Sequence, residues 1–187
     1  MDWLKANLNY TSDELELIRY GFLSIIMETS KFILMVIFFT IIGKTKEFLF
    51  GTFILFLLRS NTGGLHLSTY WGCLLFSTLL LYTGCVYLPC KWHIPGNGML
   101  LLLAECILVT WKTGPVVSPK RPHPNALQAK KSKKIACTFI SLYLLTVFLL
   151  PENSYIRIGF WIIILQTVQL VIAYFLRKEN CNEKKIH

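Results

Sequence analysis

Residues 158–176 read IGFWIIILQTVQLVIAYFL, a run of nineteen residues without a charged side chain. A predominantly apolar helix of roughly 17–25 residues matches the thickness of the hydrocarbon core of a bilayer. Two more charge-free stretches occupy residues 67–90 and 135–151. The whole chain is 54% hydrophobic and 16% charged, whereas soluble domains average about 45–50% and about 25%. The sequence therefore predicts an all-α integral membrane protein.

Around this stretch, the apolar residues group into about six helical segments of a single polytopic membrane domain, residues 1–187. The segments lie at about 21–43, 48–58, 69–88, 97–111, 135–150 and 155–176. The second segment has only eleven residues, roughly 16 Å of helix or about half a bilayer. It either extends past Lys46 and Arg59, whose charged ends would snorkel to the interface, or it is re-entrant. The sequence leaves both alternatives open.

The first twenty residues, 1–20, differ from the rest because charged and apolar residues are mixed within them. Leu4 and Leu8 fall at helical spacing, which predicts an amphipathic helix that lies in the membrane interface. Thr11 followed by Glu14 resembles a capping box, so a break and a second helix entering the membrane are predicted there. An acidic start is unlike the basic start of a cleavable signal peptide.

The basic residues are concentrated in two places and predict the orientation. Loop 112–134 carries seven of the 19 lysines and arginines, and the tail at 177–187 carries four more. Cytoplasmic loops of membrane proteins are rich in these residues, so both regions are predicted to be cytoplasmic. The stretch at 59–73 then also faces the cytoplasm. Basic loops near anionic lipid explain the net charge of +9, so membrane lipids rather than nucleic acid are the predicted partner.

A polar stretch separates two apolar segments at residues 59–73, RSNTGGLHLSTYWGC. It contains a cysteine and a histidine, the residue types of a cysteine nucleophile and its base. A thiolate is the reactive form, and an adjacent imidazole that takes the proton increases its fraction. Along one continuous helix, His66 and Cys73 would lie about 10 Å apart. His66 must therefore sit on a loop that folds back over the helix start, and Gly63 and Gly64 permit that turn. The alternative is an interfacial histidine and a small apolar cysteine.

This stretch resembles the motif of the accessory gene regulator protein B family of bacterial quorum sensing. The motif is matched position for position by Arg59, the glycine pair, His66 and Cys73. The resemblance extends to the chain length, the order of apolar segments, the basic loop and the basic tail. It implies a multi-pass cysteine endopeptidase of the bacterial cell membrane. Its substrate would be a small amphipathic precursor peptide, from which the acidic C-terminal part is removed. The retained acyl group, held as a thioester, would pass to a cysteine of the substrate to give a cyclic thiolactone.

Under this interpretation, Cys73 is the nucleophile, and His66 is the general base and then the acid that protonates the leaving amine. Arg59 binds an acidic group of the substrate, pairs with a local acid, or snorkels at a helix end. Ser68 or Thr69 is a suitable N-cap for the following helix. Near the glycine pair, a main-chain N–H is a candidate donor to an oxyanion.

Two acids, Glu28 and Glu105, lie well inside apolar segments and are candidates for orienting His66. Glu28 has Lys31 three residues later, a neighbour on a helix surface, which favours a structural ion pair. Glu105 has no such neighbour and is the better candidate.

A cluster of four lysines precedes the apolar run that starts at Ile135, on the same predicted side as the cysteine and histidine. It consists of Lys130, Lys131, Lys133 and Lys134. These lysines either attract the acidic part of the precursor or only orient the helix and bind anionic lipid. The oligomeric state, monomer or homodimer, is left open.

No HExxH, CxxC or aspartate cluster occurs, and no glycine-rich phosphate loop, so no metal and no cofactor is predicted. Cys85 and Cys90 both fall near the predicted outer face, and their spacing permits a disulfide without requiring one.

The other class of function is a non-enzymatic membrane protein, either a small transporter or a peptide-export subunit. Glu28, Lys31 and Glu105 would then line a pathway. A Cys73→Ser variant discriminates between the classes, because a carrier should tolerate it and a cysteine peptidase should not.

Overall fold

The computed structural model describes residues 12–65, 69–116, 125–150 and 153–186. These residues form six helices: α1 (Ser12–Ile41), α2 (Thr45–Thr62), α3 (Tyr70–Lys91), α4 (Gly96–Thr113), α5 (Ala126–Leu149) and α6 (Ser154–Ile186). Within α3, Thr83–Tyr87 takes the π-helical form. The described part of the chain contains no β-strand, so the predicted all-α class is confirmed.

Four helical stretches are long and apolar enough to cross a membrane. They are Gly21–Ile41, Tyr70–Lys91, Ala126–Leu149 and Ser154–Arg177. These stretches confirm the class of helical membrane protein. α2 and α4 have eighteen residues each and do not belong to this group. Each of the six predicted apolar segments coincides with one helix, whereas the number of helices that cross the bilayer stays a prediction.

α2 is longer than the apolar segment from which it was predicted. Its helical range includes Lys46 and Arg59, and eighteen residues correspond to about 27 Å at 1.5 Å per residue. In its first turn, Glu47 accepts a hydrogen bond from Lys44 Nζ at 2.9 Å. This contact lowers the pKa of Glu47 and raises the pKa of Lys44. The helix therefore has the length of the extended alternative, and its path through the membrane stays a prediction.

The chain divides into two compact units, Met1–Gly43 and Lys44–His187. In the first unit, Lys31 Nζ lies 2.6 Å from Glu28 Oε1 within α1. The predicted ion pair between these two residues is confirmed.

The predicted interfacial helix falls largely on residues 1–11, which lie outside the described residues. This range includes Thr11 of the predicted capping box. α1 begins at Ser12, where the sequence predicts the helix that enters the membrane.

In the second unit, α6 packs against α2, α4 and the π-helical segment of α3. Several of its apolar side chains are almost completely buried: Phe160, Ile162, Ile163 and Leu170. Two glycines allow this close approach. A Cβ on Gly51 of α2 would overlap Cys85 Sγ, and a Cβ on Gly84 would lie 2.6 Å from Ile162 Cδ1. Small residues let helix backbones come close together where only dispersion forces hold them.

Candidate active site

The turn that follows α2 requires a glycine. Gly63 has φ 75° and ψ −151°, a combination that residues with a side chain rarely adopt. Its N–H donates to the carbonyl oxygen of Arg59 at 2.9 Å. A Cβ at this position would also overlap the main-chain carbonyl oxygen of Val116. Two independent constraints, one on the backbone angles and one on space, therefore select glycine at this position of the motif.

The segment that follows α4 holds this turn from the opposite side. Val116 donates its N–H to the carbonyl oxygen of Thr62 at 2.9 Å, and Gly63 and Val116 form an isolated β-bridge. The next side chain of the turn, Leu65, packs against an apolar cluster formed by Val116, Leu170 and Ala173. Residues far apart in sequence thus fix the main chain that leads to the predicted catalytic histidine.

Arg59 holds the same turn from within α2. Its Nη2 donates to the carbonyl oxygen of Leu65 at 2.8 Å. Because Arg59 lies in the last turn of α2, its charge also interacts favourably with the negative end of the helix dipole. Leu65 directly precedes His66 in the chain. The structure thereby adds a use for Arg59 that the sequence did not indicate, which is to hold the loop before His66.

Gln166 of α6 is a further anchor that the sequence analysis missed. Its Nε2 donates to the carbonyl oxygen of Gly63 at 2.8 Å and lies 3.2 Å from Thr62 Oγ1. The side chain is 2% exposed. Polar residues in membrane helices often hydrogen-bond to neighbouring helices. The letters QTVQ at 166–169, inside an otherwise apolar run, were the signal that could have identified it.

Cys73 lies at the start of the second turn of α3. The helix begins at Tyr70, with Thr69 in the N-cap position but without a side-chain capping hydrogen bond. The N–H of Cys73 donates to the carbonyl oxygen of Thr69 at 3.0 Å, and its side chain is 8% exposed. Residues 66–68, which include His66 and Ser68, lie outside the described residues. The pairing of Cys73 with His66 stays a prediction.

Glu105, the predicted acid partner of His66, is exposed on α4. Among the described residues, it forms no hydrogen bond and no ion pair. Its predicted role is not tested by this arrangement. Cys85 is buried and Cys90 is exposed, and no disulfide joins them.

The four predicted substrate-binding lysines lie in the first turns of α5. Lys133 is half-buried, and the other three, Lys130, Lys131 and Lys134, are exposed. Lys134 lines a shallow cleft of about 460 Å³ together with Trp111 and Ser141. This charged surface is separate from the hydrogen bonds that hold the turn at 63–65.

The family model described as Accessory gene regulator B matches residues 1–170, which include α1 to α5, about half of α6 and the whole 59–73 motif. The chain belongs to this family. Membership confirms the resemblance drawn from the motif and assigns the protein to accessory gene regulation, the system of bacterial quorum sensing.

Two family relatives show how far the similarity extends. The chain is 30% identical over 156 residues to a putative AgrB-like protein of Clostridium beijerinckii, covering 83% of this chain and 76% of the relative. It is 26% identical over 122 residues to the accessory gene regulator protein B of Staphylococcus carnosus (strain TM300), covering 64% of this chain and 61% of that protein. No solved structure matches the chain.

Proposed function

We propose that this family member is a membrane-embedded cysteine endopeptidase that removes the C-terminal part of a small signalling-peptide precursor and cyclises the remainder as a thiolactone. The observation that carries the proposal is the anchored turn at 63–65. Hydrogen bonds hold the main chain at three of the four residues that precede His66: Val116 binds Thr62, Gln166 binds Gly63 and Arg59 binds Leu65. A general base must lie within hydrogen-bond distance of the proton that it takes. Three hydrogen bonds to the main chain before His66 fix the position of the loop that carries this base.

The reaction needs only the cysteine, the histidine and the peptide. His66 takes the thiol proton of Cys73, and the thiolate attacks the carbonyl carbon of the scissile bond. The C–N bond then breaks, and the His66 imidazolium protonates the leaving amine of the acidic C-terminal part. The acyl group remains on Cys73 as a thioester. The thiol of a substrate cysteine loses its proton to His66, attacks this thioester and releases the Cys73 thiolate, which recovers the proton.

Exclusion of water decides the outcome of this sequence. Exchange of a thioester between two thiols is nearly balanced in free energy, whereas hydrolysis is strongly downhill and would give a linear acid instead of a ring. A closed site prevents that side reaction. The 8% exposure of the Cys73 side chain supports such a site.

We further place the site on the cytoplasmic side, with loop 112–134 and the tail at 177–187, because eleven of the 19 basic residues lie in these two regions. Single cysteine reporters at Ser118 and Asn182, in a background without other cysteines, test this orientation. A membrane-impermeant reagent should leave both reporters unlabelled on intact cells. Labelling of either without permeabilisation would contradict the orientation.

The activity is tested with purified protein reconstituted into vesicles and the small precursor peptide that is encoded beside the gene. Mass spectrometry should detect the released C-terminal fragment and a ring whose mass is lower than that of the linear acid by one water. Cys73→Ala and Cys73→Ser should give neither product, and a Cys90→Ala control should give both. Product formation by Cys73→Ser would contradict Cys73 as the nucleophile, and absence of product from the parent protein would favour the carrier alternative.

A further inference from the structure

A second glutamine, Gln169, faces the same turn as Gln166. Residues three apart on a helix lie on one face, and both side chains are buried, Gln166 at 2% and Gln169 at 3% exposure. A Cβ built on Gly64 would lie 3.3 Å from Gln169 Oε1, 3.5 Å from Gln166 Nε2 and 3.6 Å from Arg59 Nε. Three polar side chains of α2 and α6 thus converge on the space that a side chain at position 64 would occupy, two residues before His66.

The hydrogen bonds of these two amides are incomplete. Gln166 uses its Nε2 on the turn, but its Oε1 has no partner within the described ranges. Gln169 has no partner there for either its Oε1 or its Nε2. A buried amide without a partner destabilises a fold, and methionine would fill a similar volume without that cost. Three unpaired atoms beside the motif turn are therefore positioned to bind a ligand that completes them.

The chemistry of the unpaired atoms limits what this ligand can be. Gln166 Oε1 needs a donor, which an anion does not have. The guanidinium of Arg59 beside the same point repels a cation. Gln169 offers both a donor and an acceptor. A ligand that satisfies all three atoms must carry both kinds of group, and a peptide main chain presents an N–H and a C=O at every residue.

We propose that Gln166 and Gln169, beside the turn that leads to His66, form a subsite that hydrogen-bonds the main chain of the precursor peptide. This inference rests on the proposed function and names how that function recognises its substrate. In an α-helix, the main-chain groups are already paired, so the subsite selects peptide that is extended where it binds. It also compensates the substrate for the water that its amides lose on entering a buried site.

The test measures binding without turnover. In a Cys73→Ala background, reconstituted in nanodiscs, the Kd of the fluorescently labelled precursor peptide encoded beside the gene is measured by anisotropy. Gln169→Met should weaken binding at least tenfold. It should leave the temperature of unfolding unchanged or raised, because the variant removes two unsatisfied buried atoms. Substitution of a residue that only supported the fold would lower the affinity and the unfolding temperature together.

Two further variants serve as comparisons. Thr167 lies between the two glutamines, and its hydroxyl donates to the carbonyl oxygen of Ile163 in the same helix. Thr167→Val removes only this hydroxyl. It should change the Kd less than twofold. Gln166→Met should lower the unfolding temperature as well as weaken binding, since the Gly63 carbonyl oxygen loses its donor.

The main-chain contact itself is tested with precursor peptides that are N-methylated at one bond at a time. Methylation at one position should weaken binding to the Cys73→Ala protein at least fivefold and weaken binding to the Gln169→Met double variant less than twofold. Such non-additivity identifies groups that contact each other. Additive effects at every position, or an unchanged Kd in Gln169→Met, would overturn the subsite and leave the proposed function standing. If folded Cys73→Ala protein does not bind the peptide, both the subsite and the proposed substrate class are wrong.

Discussion

α2 and α6 are held together in opposite ways at two places along α2. Near its start, Gly51 and the glycine of the π-helical segment bring the backbones so close that Cys85 and Ile162 fill all the space. Near its end, the contact is polar, and the Gly63 carbonyl oxygen is bound by Gln166 while neighbouring amide atoms have no partner in the described ranges. We call these places the glycine contact and the polar contact.

Under the proposed function, the two contacts have different uses. Close apolar packing contributes dispersion energy, and at the glycine contact side-chain atoms of Cys85 and Ile162 fill the space beside the two glycines. Unpaired buried amides lower stability, each by about 1–3 kcal/mol. A chain keeps such groups where they have another use. The comparison therefore predicts that changes at the glycine contact mainly alter unfolding, whereas changes at the polar contact mainly alter the processing of peptide.

The largest effect is expected at Cys73, which belongs to neither contact and is the proposed nucleophile. Cys73→Ala should reduce precursor cleavage at least about a thousandfold, because loss of a nucleophile removes the covalent route. Alanine at each of the other cysteines should leave cleavage within a few-fold: Cys85, Cys90, Cys106, Cys137 and Cys181. Quantitative mass spectrometry of products measures both. Loss of cleavage in one of these five, with activity retained in Cys73→Ala, would refute the assignment.

Two glycine-to-alanine substitutions, one at each contact, compare the contacts directly. Gly51→Ala and Gly63→Ala each place a Cβ where another atom already lies. Both should lower the free energy of unfolding by about 1–3 kcal/mol, through overpacking at the first and backbone strain at the second. Only Gly63→Ala should also reduce kcat, by about a hundredfold, since it displaces the main chain before His66. Unfolding in denaturant and initial rates provide the two measurements.

The control for this pair is a second substitution. Gly51→Ala combined with Cys85→Ala should regain most of the lost stability, because the sulfur that the new methyl overlaps is gone. If Gly51→Ala instead reduced kcat as strongly as Gly63→Ala, the separation of the two contacts would be wrong.

Part of this arrangement could be predicted from the sequence, and the reason is local. Hydropathy located one helix for each apolar segment, and the motif predicted a turn at Gly63, whereas the role of Cys73 stays a prediction. The length of α2 was underestimated because charged residues ended the apolar count, although helix hydrogen bonds continue through Lys46 and Arg59. The anchors Val116 and Gln166 were missed because each meets the turn from a distant part of the chain. Sequence periodicity does not give which face of α6 meets which helix.

Arg59 allows a sharper test of what the polar contact does. Arg59→Gln should lower kcat/KM about tenfold, because a hydrogen bond from a charged donor contributes about 1.5 kcal/mol. If the guanidinium mainly holds the Leu65 carbonyl, this loss should be equal for the natural precursor and for one whose acidic residues are changed to their amides. Kinetics with both peptides measure it. A loss confined to the acidic precursor would assign Arg59 to substrate charge instead.

The smallest effect is expected from the lysine cluster of α5, which belongs to neither contact. We propose that Lys130, Lys131, Lys133 and Lys134 concentrate the acidic part of the precursor at the surface without taking part in chemistry. Changing all four to glutamine should raise KM a few-fold in correctly oriented vesicles and leave kcat nearly unchanged. Surface attraction is screened within about 8 Å at physiological salt and about 3 Å at 1 M. High salt should therefore raise the KM of the parent protein toward that of the variant and leave the variant unchanged. An unchanged KM at low salt would reduce the cluster to a signal for orientation and lipid binding, and recognition would then rest on the polar contact alone.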